Sequence, residues 1–408
     1  MMDMKFIEGG VCAAKGFKAA GKHCGVKTSH VDKKDVALIV ADTLCNVAAV
    51  YTTNIVKAAP LYVTKEHLTN GKAQAIIANS GNANACAPED MENAKRMCKA
   101  AAAALGIDES DIAVASTGVI GQRLRVEVIE DGVQELAALL SEDGSEAAAH
   151  AIMTTDTVKK ECAVEFTVGG KTAKLGGISK GSGMIHPNMG TMLGFVTTDC
   201  AISTEMLNKA LKAVTKVSFN RISVDGDTST NDMCVVLASG HAGNAEITVD
   251  GTDYGAFCAA LEAVCITLSK EMASDGEGAK HLITCTVSGA ESVEKAETIA
   301  KSVISSTLFK AAIFGNDANW GRVLCAMGYS GAEFDPDKVA VLFKSAAGSV
   351  DVCLNGRGLP FDEELATRIL TEHDIEVLIW LGEGDCECTC WGCDITYDYI
   401  KINGDYRT

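Results

Sequence analysis

With 408 residues, 47% of them apolar and only five prolines, the chain can bury a large core and carries no long polar tract. Its 36 basic and 54 acidic residues give a net charge of −18, and basic residues form no block and do not interleave with aromatics, which argues against a nucleic-acid surface. No apolar run reaches membrane length, and the first ten residues lack a basic segment leading into an apolar one, so a cytoplasmic location is expected.

In chain order, Val36–Ala41 and Val47–Thr52 read as strands and Ala73–Asn79 as a third. Pro88 introduces a helix over Glu89–Leu105 that Gly106 ends. Ile112–Ala115 is strand-like, and Arg125–Leu140 has helical apolar spacing at Val128, Val133, Leu136 and Leu140. Gly169-Gly170 marks a hairpin turn between Cys162–Val168 and Lys171–Leu175. Met192–Thr197 reads as a strand, and Ser203 or Thr204 caps a helix running to about Lys216. Met233–Ala238 is expected as a strand, Tyr254–Ser274 as a long helix, Leu282–Val287 as a strand and Val293–Phe309 as a helix. Strands at Val339–Phe343, Val350–Leu354 and Ile375–Leu381 follow, with a short helix at Glu363–Leu370. Mixed strands with helices outside fit a layered α/β sandwich.

Seventeen cysteines are scattered mostly through apolar segments, where the thiol acts as a small hydrophobe that a cytosol keeps reduced. The exception is the run Cys386, Cys388, Cys390 and Cys393. It could hold zinc or an iron–sulfur cluster, or be a strand whose alternation buries three of the four thiols on one face. Ligand pairs usually leave two or more residues between thiols and no second pair stands nearby, so the packed strand is expected and no metal is assigned.

Several polar stretches could carry chemistry. Asn79-Ser-Gly-Asn-Ala-Asn-Ala-Cys86 follows a strand and reads equally as a loop with a helix cap. In Ser116-Thr-Gly-Val-Ile-Gly121 a Thr-Gly pair can offer a hydroxyl and a backbone N–H side by side, as an oxyanion hole requires. Arg221–Asp232 is rich in turn formers. Its Asp225, Asp227 and Asn231 are spaced like a hard-cation loop, without the glycine and terminal glutamate of an EF-hand. Glu277 stands between two glycines, and two glycines and a proline lead through Lys180-Gly-Ser-Gly-Met-Ile-His-Pro-Asn-Met into Gly190-Thr191.

Together with Met153-Thr-Thr-Asp156, Asn316-Asp-Ala-Asn-Trp-Gly-Arg322 and the tail Tyr397–Thr408, these stretches resemble the ornithine acetyltransferase family along nearly the whole chain. The resemblance implies a four-layer αββα sandwich, similar to N-terminal-nucleophile hydrolases but of different topology. It also implies self-cleavage between Gly190 and Thr191, giving an α chain (1–190) and a β chain (191–408) folded together, in an α2β2 assembly. The family more often has alanine at 190; glycine is permissive there because it tolerates conformations closed to residues with a Cβ. By the same likeness Thr191 is the nucleophile and Thr117 and Gly118 form the oxyanion hole. Thr154, Lys180, Glu277, Asn403 and Thr408 contact substrate, the last two across a subunit boundary. Ala318 replaces the family's proline, so that turn is expected to be looser. His186 shapes the loop, and Arg221–Asp232 is structural and holds no metal.

The implied chemistry is coherent. A freed Thr191 α-amine titrates near ~7.7–8.0, against ~10.4 for lysine, and can take the proton of its own hydroxyl. The expected reaction moves acetyl from N2-acetylornithine to L-glutamate through an acetyl-threonine, with no cofactor. Acetyl-CoA is a second donor in some members of the family. Glu277 suits the ornithine ammonium and Lys180 the substrate α-carboxylate. A self-processed aminopeptidase or amidase of related fold is the alternative.

Overall fold

The computed structural model of the protein describes residues 4–29, 31–186 and 192–405. Its larger sheet has nine strands. Eight follow in the order Met4–Ile7, Lys160–Val168, Lys171–Lys180, Leu193–Thr198, Met233–Ala238, Val36–Tyr51, Lys72–Asn82 and Ile112–Val119. The ninth, Phe17–Lys22, pairs with the first half of Val36–Tyr51.

The 16-residue strand Val36–Tyr51 is the hinge of this sheet. Its first part pairs with Phe17–Lys22 and Lys72–Asn82, and its last part pairs with Met233–Ala238. A register shift separates Val40 from Cys45. Two strands were expected here because the apolar period fails at exposed Asp42, Thr43 and Leu44, yet the backbone stays extended through them.

The two halves of the sheet share one inner core, where Phe17, Ile39 and Ile76 meet Ile178, Phe195 and Val235. Successive residues of a strand face opposite ways, so Leu38, Ile77 and Val114 point outward. There they pack beneath the helices Ala59–His67, Asp90–Leu105 and Val126–Ala138. The other half turns Val164, Leu175, Val196 and Val236 outward, under the helices Thr204–Val217 and Thr252–Ser274. These are the four layers, helix–sheet–sheet–helix, that the resemblance implies.

A second sheet of seven strands extends the fold. Its order is Arg357–Gly358, Gly348–Leu354, Ala340–Ser345, Asp374–Trp380, Leu282–Ala290, Cys386–Cys393 and Ile222–Ser223. Ile283, Phe343 and Val377 pack on one face against Ile299, Phe309 and Val323 of three helices. The strand reading of the cysteine run holds: Cys390 and Cys388 pair with Cys285 and Val287 and are buried in this core, with Cys386 partly buried.

Local signals act as their chemistry requires. Gly169 and Gly170 both have positive φ (56° and 69°) in the hairpin turn. Gly106 ends its helix in the left-handed conformation, donating to Ala102 O at 2.8 Å. Ser203 caps its helix by accepting from Met206 N at 3.3 Å. The helix expected over Val293–Phe309 is two helices, Val293–Ser305 and Thr307–Phe314. Ser306 breaks it by capping the second, accepting from Phe309 N.

Strands from both sides of position 190 lie in one sheet. Lys180 is the register partner of Leu193, and Val50 that of Cys234.

Candidate active site

Lys180 ends one strand and Leu193 starts its neighbour, so the connection 181–192 leaves the sheet at one end. Gly190, Thr191 and Thr408 lie outside the described residues, and so does Arg407.

The described part of that connection is held by the Arg221–Asp232 segment. The Asp225 carboxylate accepts from Met184 N (2.6 Å), Ile185 N (2.9 Å) and Asp227 N (3.2 Å). Val224 N donates to Ile185 O at 2.6 Å, and Thr228 Oγ1 to His186 O at 2.7 Å. Asp225 thus spends its oxygens mainly on backbone amides. Among the described residues no three His, Cys, Asp or Glu side chains are grouped to hold a metal ion. His186 Nδ1 lies 3.0 Å from Ser223 Oγ, and burial, reinforced by Lys301, lowers its pKa.

Thr117 and Gly118 lie in the last residues of the strand Ile112–Val119, not in a loop after it. Gly118 has φ +130°, and a Cβ there would overlap the Gly81 carbonyl carbon and Asn82 N on the neighbouring strand. Only glycine fits. The Asn79–Cys86 stretch supports this pair from the side. Ser116 Oγ donates to Asn79 Oδ1 at 2.6 Å, and Asn79 Nδ2 to Asn82 O at 2.9 Å. Buried Asn231 ties both motifs together, donating to Ala83 O at 2.6 Å and Ser116 O at 2.8 Å. The Asn79 stretch therefore extends its strand to Asn82 and gives the following helix no side-chain cap.

Lys180, only 7% exposed, has its Nζ 3.9 Å from Asp156 Oδ2. Asp156 also accepts from Lys160 Nζ (2.7 Å), Gly181 N (2.8 Å) and Thr154 N (2.9 Å). Burial alone would raise the Asp156 pKa, but Lys180 and Lys160 outweigh it and hold the carboxyl well below the usual range. Lys160 is fully buried and reaches Asp275 Oδ2 as well, at 2.6 Å. Sequence reasoning named Thr154 and Lys180 but missed Asp156, Lys160 and Asp275. Asp156 stood inside a quoted motif and Asp275 two residues before Glu277. A charged residue in a turn reads as solvated until its partners are known.

Glu277 is 4% exposed and closely apposed to Gly183, where any Cβ would overlap its carboxylate. Asn403 Nδ2 donates to its Oε2. Asn403 belongs to the tail helix Tyr397–Asp405, whose Tyr399 hydroxyl lies 3.4 Å from Asp225 Oδ2. Within one chain, Asn403 thus already reaches the Glu277 carboxylate. The Asn316–Arg322 motif belongs to the second sheet's helical layer. There Asn319 caps the helix Trp320–Gly328, and Ala318 is buried in the core.

Two cavities result. A cleft of about 590 Å³ is lined by Thr154, Asn82, Lys27, Arg123 and Arg125, with Asp405 of the tail at its edge. Burial brings the Lys27 pKa down to about 8. The other cavity, about 20 Å³, is lined by Thr117, Lys180, Met192, Asn231 and Asp232. The arrangement offers hydroxyl and amide donors beside a buried cation and a buried carboxyl, next to the residue that follows position 191.

No helix among the described residues is long and apolar enough to cross a membrane. The ArgJ family profile matches residues 18–408. The chain is 51% identical over 406 residues to the arginine biosynthesis bifunctional protein ArgJ of Symbiobacterium thermophilum, covering 99% of this chain and 100% of that one. It is 47% identical over 404 residues to the protein of the same name from Bacillus subtilis, covering 98% and 97%. A crystal structure of the ArgJ protein from Bacillus halodurans shares 44% identity and covers 52% of this chain and 97% of that one, with a TM-score of 0.49. A profile spanning nearly the whole chain, and relatives alike from end to end, agree with the motifs gathered around Thr117 and Lys180: the chain belongs to the ArgJ family of ornithine acetyltransferases and is an enzyme of arginine biosynthesis.

Proposed function

We propose that the protein cuts itself between Gly190 and Thr191 and then transfers acetyl from N2-acetylornithine to L-glutamate by a ping-pong route. The observation that carries this reading is the shared cavity of Thr117, Lys180 and Met192. Met192 is bonded to Thr191, and Thr117 of the proposed oxyanion pair lines the same cavity as Met192. Thr191 Oγ attacks the acetyl carbonyl, and its own α-amine accepts the hydroxyl proton. The Thr117 hydroxyl and Gly118 N–H meet the oxyanion. The proton passes to the departing nitrogen and ornithine leaves. Glutamate then takes the acetyl group from the threonine ester.

Buried Glu277, already hydrogen-bonded to Asn403, suits the ornithine ammonium. Lys180 suits the α-carboxylate common to both substrates, and the cationic wall of the larger cleft suits a second carboxylate. Terminal Thr408 completes the substrate contacts. Acetyl-CoA serves as a second acetyl donor, consistent with the bifunctional relatives. Residues 1–190 and 191–408 stay together as α and β chains, two of each forming the assembly in the cytoplasm. No metal or organic cofactor takes part in the transfer.

Intact-mass measurement of purified protein tests the reading. Two pieces are expected, residues 1–190 and a piece starting at Thr191. Thr191→Ala should stay uncut and transfer no acetyl. Normal turnover by that variant would sink the assignment. Hydrolysis of aminoacyl amides in place of acetyl transfer would favour the aminopeptidase alternative.

A further inference from the structure

Asp232 has a side chain that the transfer scheme leaves unused. It is 2% exposed and stands directly before the strand Met233–Ala238. Its backbone is fixed on both sides: Thr52 N donates to Asp232 O at 3.0 Å, and Met233 N donates to Met192 O at 2.9 Å. Ser229, Thr52 and the Met192 N–H lie around the carboxyl and favour its charge, as does Lys180. Burial outweighs them and pushes its pKa well above the usual carboxylate value. Its Oδ2 is buried and makes no hydrogen bond among the described residues. A buried oxygen without a partner costs stability, of the order of 1–3 kcal/mol. Such a group calls for a use.

The cavity that Asp232 lines with Thr117, Lys180 and Met192 holds about 20 Å³. One water needs roughly 10–15 Å³ and two to four polar partners. The Thr117 hydroxyl, the Lys180 ammonium and the Asp232 carboxylate are polar groups of its wall. The cavity is thus of single-water size and adjoins the residue bonded to Thr191.

We propose that Asp232 is the catalytic base of self-cleavage, holding and deprotonating the one water that hydrolyses the Thr191 ester. This rests on the cleavage reading above. In the first step Thr191 Oγ adds to the Gly190 carbonyl, the C–N bond breaks and the hydroxyl proton passes to the departing nitrogen, leaving an ester and a free α-amine. Water oxygen then adds to that carbonyl while Asp232 takes one water proton. The C–O bond to Thr191 breaks, and the proton held by Asp232 passes to the leaving Oγ. Gly190 ends as a carboxylic acid and Thr191 regains its hydroxyl. A carboxyl with raised proton affinity is a stronger base for this task than an exposed aspartate.

The test uses full-length chains carrying Asp232→Asn, Asp232→Leu and, as reference, Thr191→Ala. Cleavage of both Asp232 variants should slow by about 100-fold or more, the usual contribution of a general base. Neutral hydroxylamine, a nucleophile that needs no base, should restore cutting of Asp232→Asn at the same bond and leave residues 1–190 ending in a hydroxamate. Asp232→Asn should melt no lower than Thr191→Ala, because the amide keeps one oxygen for Ser229, Thr52 and the Met192 N–H and Oδ2 has no partner to lose. Wild-type cleavage by Asp232→Asn would overturn the proposal. Slow cleavage that hydroxylamine does not restore would also overturn it, by locating the block before the ester. A melting point of Asp232→Asn well below the reference would make Asp232 structural and overturn it equally. Cutting of Thr191→Ala would instead sink the nucleophile assignment, whatever Asp232 does.

Discussion

The two sheets are built on opposite terms. The core of the seven-stranded sheet is almost wholly apolar, Ala, Ile, Val, Leu, Phe, Met and Cys, and its buried Lys310 and Ser223 sit at the Cys393 end of the Cys386–Cys393 strand. The nine-stranded sheet buries Asn79, Ser80, Ser116, Asp156, Lys160 and Asp232 at one end of its strands. Apolar packing of matched volume is the cheaper route to stability, and buried ions are weak evidence for it. Their concentration at one end therefore marks where chemistry, and not folding, set the residue types.

Substitutions can break or sharpen this contrast. The largest effect is expected from Lys160→Met, which strands the carboxylates of Asp156 and Asp275. It should cost ~3–5 kcal/mol in denaturant unfolding and disturb Lys180, so activity falls with stability. Phe343→Ala in the second sheet should cost a similar ~3–5 kcal/mol through cavity formation. Below its melting point it should nevertheless keep wild-type KM and cleavage. A large KM change there would erase the contrast between the sheets.

Gly118→Ala should destabilise by ~1–3 kcal/mol through its positive φ and abolish transfer. An active Gly118→Ala enzyme would remove the oxyanion assignment. Glu271→Gln tests pH dependence. Burial raises the Glu271 pKa to about 7, above its unfolded value, so the folded state binds the extra proton and stability falls as pH rises through that interval. The variant should be more stable than wild type at pH 8 by ~1–2 kcal/mol, discounted for partial exposure, and equal to it at pH 4. The smallest effect is expected from Asn403→Ala, which frees Glu277. KM for N2-acetylornithine should rise ~10-fold, the worth of one charge-assisted hydrogen bond, with cleavage unchanged.

Much of the fold was legible because it rests on local signals. Gly169-Gly170, Gly106 and Ser203 act within four residues of themselves, and the short apolar run Met233–Ala238 requires no distant partner to read as a strand. The break at Ser306 was hidden because apolar spacing continues across it. The second sheet was hidden because strand periodicity does not say which strands join. In the site, Thr117, Lys180 and Glu277 were legible through family motifs. The Lys160–Asp156–Asp275 cluster was not, since partners 115 residues apart in sequence meet only in the folded chain. Asp232 closed a stretch rich in turn-forming residues, which concealed that its side chain is buried.

Lys180 and Leu193 face each other across an antiparallel pair, so position 190 lies in a connection between adjacent strands. Opening that connection, as the proposed self-cleavage would, changes the molecularity of folding. The intact chain folds at a rate independent of its concentration, whereas the severed one must first bring two polypeptides together. Newly made protein should refold readily from denaturant only before it has matured. The order of events in the cell would then be dictated: fold first, sever afterwards, and have no simple way back.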